Sequence, residues 1–158
     1  MNRPQVAYID GPRLKRSIIA GANRLERMAA HLDNINVFPV PDHDTGTNMT
    51  RTMRSVADDL RHARSASSAE IARRAADTAL LNAQGNSGAI IAQFFEGLAE
   101  GCAGCKRLDT RRFSEAVMLA AQFAREAVSL PREGTVLTVC RAWAEAAARA
   151  SESTDDFV

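Results

Sequence analysis

Aromatic residues are scarce in this chain. They make up 5% of its 158 residues, with one tryptophan and one tyrosine. Lysine is scarce too, occurring only at positions 15 and 106 against many arginines, a bias that genome composition explains as well as any function does. No apolar run approaches the roughly 18 to 20 residues that a membrane helix needs. The opening Met1-Asn-Arg-Pro-Gln5 lacks the apolar stretch of a signal peptide. No membrane span is expected, and a cytoplasmic location is. Net charge is nearly absent: 20 basic residues stand against 19 acidic ones, for +1, which gives no steering toward nucleic acid or an anionic membrane. Arginine is interspersed with Glu and Asp, so no basic face and no nucleic-acid partner are expected. Three cysteines fit a reducing compartment. Cys102 and Cys105 form a Cys-x-x-Cys, but no second pair and no nearby His accompany it, and no βαβ pattern surrounds it. They read as incidental thiols in a Gly-rich loop.

Period-two alternation is also nearly absent, and helical spacing dominates. Leu14, Ile18, Leu25, Met28 and Leu32 line one face of a first helix, with Asp10 as its N-cap and Pro12 in its first turn. Met49, Met53, Val56 and Leu60 give a second. Ser67-Ser-Ala-Glu70 is a capping box that opens a third, with Ile71, Ala75, Thr78 and Leu81 inward. Ile91, Phe94, Phe95 and Leu98 mark a fourth helix. Asp109 or Thr110 caps a fifth carrying Phe113, Val117, Ala121, Ala124 and Val128, and Val136, Val139, Cys140 and Trp143 mark a sixth. These stripes read as core rather than as cofactor contacts. The expectation is an all-α fold of antiparallel amphipathic helices forming one domain over residues 1–158, large enough to bury a core.

The chemistry concentrates in Asn36-Val-Phe-Pro-Val-Pro-Asp-His-Asp-Thr-Gly-Thr-Asn-Met49. Pro39 and Pro41 hold the chain extended, so Asp42 and Asp44, one residue apart, are expected to point the same way. Gly46 permits a turn, and Thr47 and Asn48 open a helix whose first N–H groups lack partners. Hard oxygen ligands beside a helix N-terminus suit a Mg²⁺-phosphate group. An Asp-x-Asp pair alone is more often a solvated turn, and Asp or Asn before a helix is an ordinary cap. A calcium loop fails on spacing: with Asp42 at position 1, Gly46 falls at position 5 instead of 6, and position 12 is Met53 instead of Glu. Two more helix entrances share the character of the first, Gly85-Asn-Ser-Gly88 and Gly134-Thr135. Any one of them is simple capping. Three, placed so that alternate helices start at one end of an up-down bundle, fit a cradle for polyphosphate.

The segment from Asn36 to Met49, with Gly85-Asn-Ser-Gly-Ala-Ile-Ile91 and Glu133-Gly-Thr-Val-Leu-Thr138 following in that order, resembles the N-terminal kinase domain of the bacterial fatty acid kinase catalytic subunit. That domain is related to the L subunit of dihydroxyacetone kinase. The resemblance runs from about Gly11 to the chain end. It implies a barrel of eight amphipathic helices, with ATP and Mg²⁺ at one end, that phosphorylates a fatty acid carboxylate presented by a DegV-like binding protein. It implies that Asp42 and Asp44 hold Mg²⁺ and carry catalysis, with Asn36 adding a weaker oxygen where dihydroxyacetone kinases have a further Asp. Thr45, Thr47 and Asn48 would meet phosphate or the metal shell. Asn86, Ser87 and Gly88 would form the second phosphate contact, and Gly134, Thr135 and Thr138 would lie near the nucleotide.

Three departures accompany the resemblance. His43 replaces the Gly common between the two Asp residues and reads as a solvent-facing side chain, and Gln84 stands where Arg is frequent. Thr154-Asp-Asp-Phe-Val158 reads as the start of another helix, and the family's Asp-Ala-Gly-Gly motif and later domains do not follow. An incomplete barrel is therefore expected, completed by the remainder of a kinase chain, by a partner or by a second copy. Two other functions remain open: a dihydroxyacetone kinase L-type subunit, and a helical interaction domain without catalysis.

Overall fold

The computed structural model describes residues 5–37 and 39–157. The readings made on Met1–Pro4, on Phe38 in the apolar segment and on Val158 lie outside the described residues. The chain runs β1 (Ile9–Asp10), α1 (Gly11–Ile35), α2 (Thr45–His62), α3 (Ser68–Leu81), α4 (Gly85–Gly101), β2 (Arg107–Leu108), α5 (Thr110–Glu126) and α6 (Val136–Ser151). The fold is all-α, with six helices among the described residues where a full barrel of the expected type has eight.

Local chemistry sets the helix starts. The Asp10 carboxylate accepts the Arg13 N–H at 3.0 Å, and Pro12 occupies a first-turn position where a missing N–H costs nothing. Asp109 Oδ1 accepts the Arg112 N–H at 2.8 Å to start α5. At α3 the expected capping box is modified. Ser67 Oγ accepts the Glu70 N–H at 3.5 Å, but the return arm runs through Ser65, whose hydroxyl donates to Glu70 Oε2 at 2.7 Å and accepts the Ser67 N–H at 3.0 Å.

Hydrogen bonds between helix ends fix their directions. Lys15 Nζ donates to the carbonyls of Arg61 and Ala63 at 3.0 and 2.9 Å, tying the start of α1 to the end of α2. The Ser68 and Ala69 N–H groups donate to the carbonyls of Lys106 and Cys105, which places the start of α3 at the end of α4. Ser114 and Ser151 hydroxyls lie 3.1 Å apart, joining the start of α5 to the end of α6. Consecutive helices are thus antiparallel, and α2, α4 and α6 all begin at one end of the bundle. The two-residue antiparallel ladder of β1 with β2, Ile9 opposite Leu108, ties the other end.

The core is built from Val56, Leu60, Ile71, Leu108 and Val117, filled in by alanines such as Ala72, Ala75, Ala76 and Ala79. Small residues let the helix backbones approach closely. At Gly97 an added Cβ would lie 2.7 Å from Ala120 Cα, and at Gly101 it would lie 2.5 Å from Ala116 Cα, so α4 and α5 touch backbone to backbone. That packing explains how a chain with few aromatics fills its interior.

Several expected core positions lie outside it. Leu81 is 84% exposed, because α3 ends there and the chain turns into α4. Val139 and Trp143 are 66% and 45% exposed; α6 packs mainly on α5, and Ala144 is its one buried residue among those described. Trp143 still stacks on Phe94, with ring centroids 5.8 Å apart, and meets Phe113 edge-on at 6.3 Å. The expected further helix at Thr154 does not form within the described residues. The Thr154 hydroxyl accepts the Asp156 N–H at 3.1 Å, as a cap would, but the Phe157 N–H then donates to the Val6 carbonyl at 3.0 Å and turns the chain back onto the N-terminal segment. No described helix is long and apolar enough to cross a membrane.

Two predictions follow from this packing. Gly97→Ala should destabilise by about 1–3 kcal/mol through overpacking, whereas Gly21→Ala, which meets nothing within 4 Å in mid-α1, should stabilise by about 0.5–1 kcal/mol. Urea unfolding of both variants checks the opposite signs. Asp59 gives a pH test. Arg74 donates to its two oxygens at 2.6 and 2.7 Å, and this holds the carboxyl below its ordinary value against partial burial, with help from Thr78. A lowered folded-state value means that the stability is present above about pH 4 and is lost as pH falls through it. Asp59→Asn should therefore melt below wild type at pH 7, and the gap should narrow at pH 3.

Candidate functional site

The end of the bundle where α2, α4 and α6 begin carries the candidate residues. Asp33, in the last turns of α1, reaches across the following loop to the start of α2. Its Oδ1 accepts the Thr47 N–H at 3.0 Å and its Oδ2 accepts the Thr47 hydroxyl at 2.7 Å. Burial pushes this carboxyl up, but the bonds from Thr47 and from the Gly46 N–H, with the nearby His43, outweigh it and hold it below the ordinary value. An anion therefore already sits on the first N–H groups of α2. Asp44 holds the N-cap position itself yet makes no side-chain cap bond among the described residues. Its carboxylate is left unused by the helix it precedes.

Asp42 is exposed, and its Oδ1 accepts the Asn36 amide N–H at 2.6 Å. The chain between the two carboxylates is not extended as expected. His43 adopts φ of 54°, the left-handed region where the family's Gly is at ease, and Asp44 follows at φ −124°, ψ 0°. A turn, rather than strand-like alternation, sets the two side chains. The ring of His43 is exposed, as expected, but it also has a partner: Nδ1 lies 2.9 Å from the Asp33 carbonyl.

The start of α4 packs directly on the start of α2. Gly85 has φ of 60°, and an added Cβ there would collide with the Asn48 amide. A Cβ on Gly88 would lie 2.5 Å from Thr52 Oγ1. Thr52, fully buried, donates to the Asn48 carbonyl at 3.0 Å and accepts the Gln84 N–H at 3.1 Å. The Ser87 hydroxyl donates to the Thr45 carbonyl at 3.4 Å. Thr45, Asn48, Ser87 and Gly88 are thus brought together, with Asn86 exposed beside them. Among the described residues no side chain caps α4, and Gly85 and Asn86 in its first turn are exposed, so the positive end of its dipole has no side-chain partner there.

The third entrance lies at the same end but closes on itself. The Thr135 hydroxyl donates to the Arg132 carbonyl at 2.8 Å and accepts the Leu137 N–H at 3.3 Å. The Thr138 hydroxyl donates to Glu133 Oε2 at 2.6 Å and accepts the Gly134 N–H at 2.9 Å. Hydrogen bonds from Thr138 and then Arg141 hold the Glu133 carboxyl below its ordinary value. The Gly134 N–H and the Thr135 and Thr138 hydroxyls therefore have partners within the same short segment, and the Thr47 N–H and hydroxyl have theirs in Asp33.

Asp33 and Thr52 are the residues the sequence reading missed. Each acts on a partner far along the chain, 14 and 32 residues away, so no local spacing signals it. Among the described residues no cluster of three His, Cys, Asp or Glu side chains could hold a metal ion. Two carboxylates are enough for Mg²⁺ when substrate phosphates complete its shell, and the unused Asp44, the exposed Asp42 and the adjoining Asn36 amide are hard donors of that kind. Cys102 is fully buried, and burial, with Cys105 nearby, pushes its thiol up to about 12, far from a metal-binding thiolate.

The fold and this end define an all-α domain with a carboxylate loop set against two abutting helix N-termini. Residues 39–158 match the model of the DAK2 domain, and the chain belongs to that family, a dihydroxyacetone kinase L-like domain of kinase type. It is 37% identical over 153 residues to a protein of Staphylococcus saprophyticus, and 38% identical over 159 residues to one of Staphylococcus haemolyticus, both described as uncharacterized. A Staphylococcus aureus relative is 34% identical over 153 residues. In each case the match covers 97% of this chain and 28% of the relative. The chain thus spans under a third of the length of these relatives.

Thr52→Val keeps the shape of the side chain but removes a buried hydroxyl that accepts the Gln84 N–H and donates to the Asn48 carbonyl. It should cost about 1–3 kcal/mol, measured by denaturant unfolding. Exchange of the Gln84 amide should rise more than that of core amides in α3.

Proposed function

We propose that this domain binds Mg-ATP at the α2/α4 end and serves as the nucleotide-binding part of a kinase that phosphorylates a fatty acid. One observation carries the reading: Asp44 sits at the N-cap of α2 but is relieved of capping by Asp33, so its carboxylate is left for a ligand beside Asp42. Asp42 and Asp44 would hold Mg²⁺, with Asn36 next to them, and the bound ion would neutralise charge on the nucleotide phosphates. The N–H groups of Asn86 and Ser87 at the uncapped start of α4 would donate to phosphate oxygens, favoured by the helix dipole. Thr45 and Asn48 would border that phosphate, and Gly88 lets α4 lie close enough to α2 for both helix starts to reach it. Gly134, Thr135 and Thr138 would reach the nucleotide only by exchanging bonds they now make among themselves. Positioning and charge neutralisation are the main demands of phosphoryl transfer.

The fatty acid substrate, and its presentation by a DegV-like binding protein, rest on the resemblance of the Asn36–Met49 segment. The length of the relatives leaves room for further domains that such a reaction would use. A dihydroxyacetone kinase L-type role differs in substrate and partner, and phosphorylation of dihydroxyacetone with a sugar-binding partner would favour it instead.

The direct test is thermal unfolding with ADP or ATP, with and without Mg²⁺. Ligand at about 100 times its dissociation constant stabilises by about 2.7 kcal/mol. Wild type should show that shift only with Mg²⁺, and Asp42→Ala/Asp44→Ala should lose it. Equal shifts in both proteins would remove the metal assignment. No shift in either would favour an interaction domain without catalysis.

A further inference from the structure

We infer that Asp33 is the positioning residue of the carboxylate loop, holding Asp42 and Asp44 in place without being a ligand itself. This rests on the nucleotide-binding reading of the same end. The residue spans the loop by both of its polar parts. Its carboxylate takes the Thr47 N–H and hydroxyl on the far side, at 3.0 and 2.7 Å. Its backbone carbonyl lies 2.9 Å from His43 Nδ1, the residue between the two candidate ligands. One residue at the end of α1 thus grips the start of α2 and the middle of the loop.

Two consequences follow for the candidate ligands. With the α2 terminus occupied by Asp33, the carboxylate of Asp44 does not fold back to cap its own helix, as an N-cap Asp ordinarily does. With His43 tethered, the left-handed turn that separates Asp42 from Asp44 is held at a residue for which it is otherwise unfavourable. Each oxygen of Asp33 already accepts from Thr47 at the start of α2, and among the described residues no cluster of three His, Cys, Asp or Glu side chains that could hold a metal ion includes it. In this arrangement an acidic residue near a candidate metal site acts through the backbone that carries the ligands, as outer partners of metal ligands do.

Asp33→Ala and Asp33→Asn separate this role from simple capping and from direct ligation. The asparagine keeps one acceptor for the Thr47 N–H, and the Thr47 hydroxyl can rotate to accept from its amide. In the chain without nucleotide, backbone ¹⁵N order parameters of residues 42–44 should drop in Asp33→Ala toward the flexible range, below about 0.6, and return in Asp33→Asn. Calorimetric titration with Mg-ADP should show about 10–100-fold weaker binding for Asp33→Ala and a return to near the wild-type affinity for Asp33→Asn. An Asp33→Ala chain that is less stable but keeps a rigid loop and wild-type affinity would overturn the inference, leaving Asp33 as a cap only. An Asp33→Asn chain with a rigid loop and affinity as low as Asp33→Ala would also overturn it, since the charge itself would then be acting on the ligand. If wild type does not bind Mg-ADP, the nucleotide reading falls, and the order parameters alone decide whether Asp33 holds the loop.

Discussion

The carboxylate of Asp33 on the N-terminus of α2 determines what the other groups at this end of the bundle can do. A helix start has unpaired N–H groups and a partial positive charge. Left to local residues, Asp44 would satisfy both. Because α1 supplies the anion instead, the loop between α1 and α2 carries two carboxylates with little internal work, Asp42 accepting from Asn36 and Asp44 capping nothing among the described residues. The same interaction takes Thr47 out of the set of groups that can meet a phosphate. That leaves α4 as the helix whose start has no side-chain cap among the described residues.

The second constraint is closeness. α2 and α4 abut at their starts only because Gly85 and Gly88 have no Cβ where Asn48 and Thr52 stand. Thr52, buried between the two, hydrogen-bonds to both helices. The starts of α2 and α4 are therefore packed on one another rather than being two helix ends that happen to be near. The same economy of volume runs through α4 and α5, where Gly97 and Gly101 let backbones touch. An interior made of alanine and glycine tolerates few aromatic residues, and the larger rings collect at the flank, where Trp143, Phe94, Phe113 and Phe157 pack together.

The helices and their caps at Asp10, Ser67 and Asp109 were legible in the sequence, because each depends on residues within one turn of one another. So was the common end shared by α2, α4 and α6, which follows from antiparallel order alone. What depends on distant partners was not. The burial expected for Leu81, Val139 and Trp143 failed because helical spacing says which residues share a face, not whether another helix covers it. Asp33 and Thr52 went unnoticed for the same reason. The turn at His43 was missed because the two preceding prolines, Pro39 and Pro41, argued for extended chain, while the tether that holds the turn comes from the backbone of α1. The third glycine-led entrance looked like the other two, yet Glu133 and Arg132 satisfy its hydroxyls locally.

In the proposed function the Asp42–Asp44 loop and the start of α4 serve one metal–nucleotide ligand. Paramagnetic broadening by Mn-ADP, read on backbone amides of the chain, tests it most directly, since a bound Mn²⁺ broadens only nearby signals. Residues 42–48 and 85–88 should broaden together and at the same concentration, and Mg-ADP added in excess should reverse it. Broadening confined to one of the two segments, or centred elsewhere on the bundle, would contradict it.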